Sequence, residues 1–142
     1  MVRSVLSLLL VAGLTSCSDD FTILDSLRDT PVAIVVGTDT ITIDADANRD
    51  FQPPNSVTGD SLDASVYLLG TNLPFAVTQI WVVQENDIWR AAPDSVGGGR
   101  WVVRGGPMWA PGTEVYLVAE LTLTGAPPIR VRSSLVTITS SS

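Results

Sequence analysis

Histidine is absent from the 142 residues, and the only thiol is Cys17. Ser-His-Asp and Cys-His nucleophilic sets therefore lack their general base, and histidine-based metal sites lack their ligand. What remains is the chemistry of carboxylates, amides, aromatic rings and one cysteine. Glu85, Glu114 and Glu120 form the pool from which a two-carboxylate hydrolase could draw. Glu114 and Glu120 fall on the polar phase of an alternating segment and Glu85 falls in a turn. Ordinary solvation accounts for all three, and no enzyme is expected. Gly97–Gly99 and Gly105-Gly106 lack the Lys-Ser/Thr pair and the following helix of a phosphate loop, so they are expected to be hairpin tips.

A second group of oxygens is better spaced. Asp44, Asp46, Asn48 and Asp50 alternate at the spacing of positions one, three, five and seven of a calcium loop. Arg49 stands where the sharp turn requires Gly, and Asn55 where the bidentate Glu belongs. The expectation is a solvated acidic loop from Asp44 to Thr58. An irregular calcium site, with an added oxygen from Asp60 or Asp63, is the alternative.

Cys17 has a different setting. One charge, Arg3, precedes an apolar run over Val5–Gly13 that ends in small residues just before the cysteine. This is the layout of an export signal, and the run is too short to span a bilayer, which takes roughly 20 residues. Leu14-Thr15-Ser16-Cys17 resembles the lipobox of bacterial lipoproteins. That resemblance implies cleavage before Cys17, a diacylglycerol on its sulfur, a fatty acyl group on the new amine, and residence at a lipid bilayer. Ser18 rather than Asp follows the cysteine, which in that family favours the outer membrane of a Gram-negative cell, facing the periplasm or the outside. Residues 1–16 are then the signal peptide, 17–31 a tether and 32–142 the folded domain.

Cleavage there removes Arg3 and leaves seven Arg, no Lys and fifteen acidic residues, a formal charge of −8. An acidic chain without a basic cluster is a poor partner for nucleic acid. With Cys17 consumed, no disulfide can form. Within the tether, Leu24 and Leu27 could share a short helical turn before Pro31 closes it, and dock on the domain.

The elements that must position the remaining groups are β-strands. Val32–Val36 and Thr40–Asp44 flank Gly37-Thr38-Asp39 as a hairpin or a kinked edge strand. Alternation from Leu62 to Leu69, the run Ala76–Gln84, Ile88–Ala91 after a tight Glu85-Asn86-Asp87 turn, Arg100–Arg104 and Glu114–Leu123 each read as strands. Pro93–Gly99 reads as a loop. The last strand, Ile129–Ile138, loses its apolar phase between Val131 and Val136, which predicts a bulge or bend near Ser133-Ser134. About seven to eight such strands, separated by Gly, Pro, Asn and Asp, predict one all-β antiparallel sandwich. Gly112–Thr139 resembles the closing strand pair of bacterial immunoglobulin-like surface domains. In them a Pro-Gly turn, here Pro111-Gly112, precedes a strand beginning near a tyrosine, here Tyr116. A short loop then leads to a Ser–Val–Thr–Ile ending, approximated here by Ser134-Leu135-Val136-Thr137-Ile138. That implies an immunoglobulin-like topology, here without the sheet-bridging cysteines.

Four tryptophans complete the inventory. Trp81, mid-strand, is expected in the core, and Trp89 and Trp101 are expected to pair across neighbouring strands. Trp109 lies with Met108 in a Gly/Pro loop, as a core plug or a binding anchor. Met108 and Trp109 are taken as the candidate interaction surface. The expected function is a lipid-anchored, non-catalytic envelope protein, a structural or accessory subunit of a membrane-associated complex with a protein partner. The alternative is a carbohydrate- or surface-ligand-binding module in which Trp109 and Trp89 stack on sugar rings.

Overall fold

The computed structural model describes residues 19–51 and 59–141. Two packed, mainly antiparallel sheets form a β-sandwich. The first sheet has the order β1 (Ile34–Val36), β2 (Asp39–Asp50), β3 (Asp63–Leu69), β7 (Arg100–Val103) and β6 (Asp94–Gly97). The second has the order β10 (Val136–Thr137), β8 (Glu114–Thr122), β4 (Ala76–Gln84) and β5 (Asp87–Ala91), with β9 (Ile129–Arg132) also on β8. β11 (Thr139–Ser141) returns to the first sheet and runs parallel to the end of β2.

Period-two alternation builds the layer between the sheets. β2 turns Ile41, Ile43, Ala45 and Ala47 inward, β4 contributes Val77, Ile80 and Val82, and β8 contributes Val115, Leu117, Ala119 and Leu121. The chain makes its first reversal at Gly37, whose φ of 61° suits a residue without a Cβ.

The bend foreseen near Ser133 is present and has a local cause. The Ser133 hydroxyl accepts the Leu117 N–H at 2.9 Å, while the Ser133 N–H donates to the Leu117 carbonyl at 2.8 Å. A side-chain oxygen thus stands where a ladder carbonyl would be, and the strand divides into β9 and β10. Buried Ile138 then carries the chain across the sandwich to β11. This division, together with β6 inside the segment expected to be a loop, yields eleven strand segments among the described residues instead of seven to eight.

Two further expectations are corrected. Asp44–Asp50 is not a loop but the second half of β2, because Ala45, Ala47 and Arg49 alternate inward between the polar residues. The stretch expected as a tether contains a helix, α1 (Asp19–Arg28), longer than the single turn foreseen at Leu24 and Leu27, although the docking of those two leucines is as expected. Its Leu24 and Leu27, 7% and 0% exposed, cover a second apolar cluster of Trp81, Val83 and Val118 on the outer face of the second sheet. The helix ends where Pro31 approaches, since the residue before a proline avoids helical angles. Thr30 donates its hydroxyl to the Ser26 carbonyl at 2.8 Å, and Arg132 donates to the Arg28 carbonyl at 3.1 Å, which satisfies carbonyls the last turn leaves open. Among the described residues, no helix is long and apolar enough to cross a membrane.

Candidate functional site

The Met108-Trp109 loop is held from beneath by an arginine. Arg49 points into the end of the sandwich and is 5% exposed. Its Nε donates to the Asp60 carbonyl at 2.9 Å, and one terminal nitrogen donates to the carbonyls of Met108 and Trp109 at 3.4 and 3.3 Å. The guanidinium also lies 4.9 Å from the Phe51 ring centre. Trp109 is half-buried and packs against the inter-sheet core, while Met108 is exposed. Trp109 is thus in part a core residue, and Met108 is the open part of the loop.

Trp89 and Trp101 do not pair. They sit in different sheets, Trp89 on β5 opposite Val82 and Trp101 on β7 opposite Val66, and both pack toward the core. The Trp89 ring lies against Gly106, where any Cβ would come within 2.5 Å of a ring carbon. Trp81 is buried as expected, but on the other side of its strand, under α1 instead of between the sheets. Arg130 covers its ring at 4.5 Å.

The four oxygen residues of the calcium pattern lie along the outward face of β2. Alternate residues on a strand stand about 7 Å apart, so four of them in a row cannot converge on one ion. Asn48 is also occupied, since its amide donates to Ser141 Oγ at 3.1 Å and accepts from Thr139 Oγ1 at 2.8 Å. Asp46, Asn48 and Asp63 border a hollow of about 180 Å³, but Arg100 and Arg104 border it too. Among the described residues, no group of three or more His, Cys, Asp or Glu side chains is placed to hold a metal. Cys17 and Asn55 lie outside the described residues.

Three further concave surfaces lie around α1, and sequence patterning did not single them out. At its C-terminal end, a groove of about 600 Å³ is lined by Arg28, Gln84, Glu85, Glu114, Tyr116 and Leu135, among others. This groove brings together two of the three glutamates considered above; the third, Glu120, accepts an ion pair from Arg130 at 3.3 Å on the outer sheet face. Gln84 Oε1 is buried there without a hydrogen-bond partner among the described residues, and Leu135 stands 63% exposed at the rim. Burial pushes the Tyr116 hydroxyl above the usual tyrosine range, an effect that Arg28 and Arg132 partly offset. Glu85 has a φ of 52°, uncommon for a residue with a Cβ, because a two-residue turn joins Gln84 to Asp87. Beside the middle of α1, two hollows of about 350 and 240 Å³ share Ile23, Trp81 and Arg90.

A signal for this face was present in the sequence. Ile80-Trp81-Val82-Val83 and Leu117-Val118-Ala119 are apolar on both phases, the mark of strands covered on both faces. The grooves themselves have no such mark, since α1, β4, β8 and the Ser133 bend all contribute to them.

No family model matches the chain, and neither does a curated protein or a solved structure.

Proposed function

We propose that this chain is a lipid-anchored, non-catalytic protein of a bacterial cell envelope, an accessory subunit whose partner protein binds the groove at the C-terminal end of α1. The anchor is the diacylglycerol and fatty acyl group on Cys17, a reading supported by Leu14-Thr15-Ser16 and the apolar run before it. An outer-membrane location follows from Ser18 if the cell is Gram-negative. The strand order β2-β3-β7-β6 against β9-β8-β4-β5, with β11 parallel to β2, supports an immunoglobulin-like topology for the domain. Such domains are frequent carriers of binding surfaces, an analogy at the level of fold.

The observation that carries the partner surface is the buried, unpaired Gln84 Oε1 beside exposed Leu135. An unmet buried acceptor costs about 1–3 kcal/mol, which a turn of the Gln84 amide toward the groove and a donor from a bound partner would offset. Leu135 supplies an apolar contact next to it. A carbohydrate is the second reading, and the Tyr116 ring among Gln84, Glu85 and Glu114 favours it. Trp89 and Trp109 are less suited to stacking on a sugar, because both pack on the core.

Affinity isolation of the full-length protein in mild detergent, with intact mass measurement, tests both parts. A mature chain that starts at Cys17 and carries acyl mass supports the anchor, and its absence removes it. A stoichiometric protein lost on Leu135→Arg supports the groove. Retention on glycans instead would favour the second reading.

A further inference from the structure

We infer that the outer sheet face beside α1, where exposed Ile23 and Arg90 flank the buried Trp81 and the Arg130 that covers it, rests against the phospholipid headgroups of the anchoring membrane. The inference rests on the Cys17 anchor proposed above.

Distance is the first argument. Only Ser18 separates Cys17 from the first residue of α1. Two residues span about 7 Å at most, even fully extended. The helix cannot swing away to lengthen that reach, because Leu24 and Leu27 are buried against the sheet and Arg132 binds the Arg28 carbonyl. The acyl chains therefore hold the body of the domain at the bilayer surface, without a flexible spacer. Ile23 lies four residues into α1, about 6 Å along its axis from the start.

The surface found there suits a headgroup layer. Ile23 is 47% exposed, and hollows on either side of it share Trp81 as a common lining residue. Arg90 is exposed and has no acidic partner among the described residues. A guanidinium can bind a phosphate through two hydrogen bonds, while its stem and the exposed Ile23 side chain lie at the apolar boundary. Asp87 also lines the larger hollow, and Arg130 is paired with Glu120, so net charge does not draw this face to the membrane. The anchor supplies that attraction by raising the local concentration of lipid, as any linked second contact does.

Lipidation consumes the Cys17 thiol, so a cysteine introduced elsewhere becomes the sole thiol of the mature protein. Lipidated Ile23→Cys, Arg90→Cys and Leu69→Cys variants are labelled with a thiol-reactive fluorophore and reconstituted in phosphatidylethanolamine–phosphatidylglycerol vesicles. Leu69 is an exposed residue of the other sheet and serves as the distant position. Lipids with a nitroxide on the headgroup should quench the labels at 23 and 90 and spare the label at 69. Quenching at none of them, in protein of the correct acyl mass, overturns the docking face and leaves the anchor standing. Equal quenching at all three also overturns it, since no face would then be preferred. Labelling of the wild-type protein at Cys17 would show that no lipid is attached there, and both readings would fall together.

Discussion

The guanidinium of Arg49 donates to the backbone carbonyl of Trp109 at 3.3 Å, across 60 residues of chain. A buried cation thus closes the end of the sandwich, and the loop sequence mistakable for an exposed anchor becomes part of the fold. Arg49→Met keeps the stem volume but leaves the carbonyls of Asp60, Met108 and Trp109 without their donor. The expected loss is about 1.5–3 kcal/mol, the range for hydrogen bonds to a charged group. Urea unfolding measures it, and an unchanged midpoint would contradict the clamp.

Trp109→Ala should cost stability too. The side chain is half-buried, so the loss falls at or below the lower end of the 3–5 kcal/mol typical of large-to-small core changes. A melting point equal to wild type would instead restore Trp109 as a free binding residue.

Leu27, on the inner face of α1, is fully buried against the second sheet. Leu27→Ala should destabilise the domain by roughly 2–4 kcal/mol and expose residues 19–28 to protease before the sandwich unfolds. Were the segment a tether, neither effect would occur, and limited proteolysis would cut wild type and variant alike.

Calcium should leave the thermal midpoint nearly unchanged, and Asp46→Asn should not alter that. The oxygens lie in a row along β2, and Asn48 is already bonded to β11. Specific binding would stabilise the fold by mass action, so a chelator-sensitive rise in melting temperature would refute this.

Tyr116 makes the fold sensitive to alkali. Burial raises its pKa in the folded state above the ordinary tyrosine value of about 10, with Arg28 and Arg132 acting the other way. The unfolded chain then loses this proton first as pH rises. The stabilising contribution is whole below the unfolded pKa and is lost as pH climbs through the folded one. Unfolding free energy should therefore fall above about pH 10, and Tyr116→Phe should flatten part of that fall. Equal slopes for both proteins in denaturant titrations above that pH would disprove the assignment.

Local patterning was enough to read most strands. Alternation at Leu62–Leu69 and Glu114–Leu123, and the lost phase before Val136, reflect which neighbours a pleated strand can bury, a property of residues two apart. The same rule read to the end would have placed Asp44–Asp50 on β2, since Ala45 and Ala47 keep the apolar phase. It was obscured because Arg49 continues that phase with a charge, and a charge can be buried only where partners wait. Those partners, the carbonyls of Asp60, Met108 and Trp109, come from distant parts of the chain. The docking of α1 follows the same logic. Ten residues with two buried leucines are too short to hold a helix alone. Trp81, Val83 and Val118, gathered from two strands, supply the surface that does. Strand identity was therefore decided by the sequence, through contacts local enough for its period to record. Which faces are covered, which arginine is buried and where the grooves open were decided only by tertiary structure. Each of those depends on groups brought together from strands far apart in the chain.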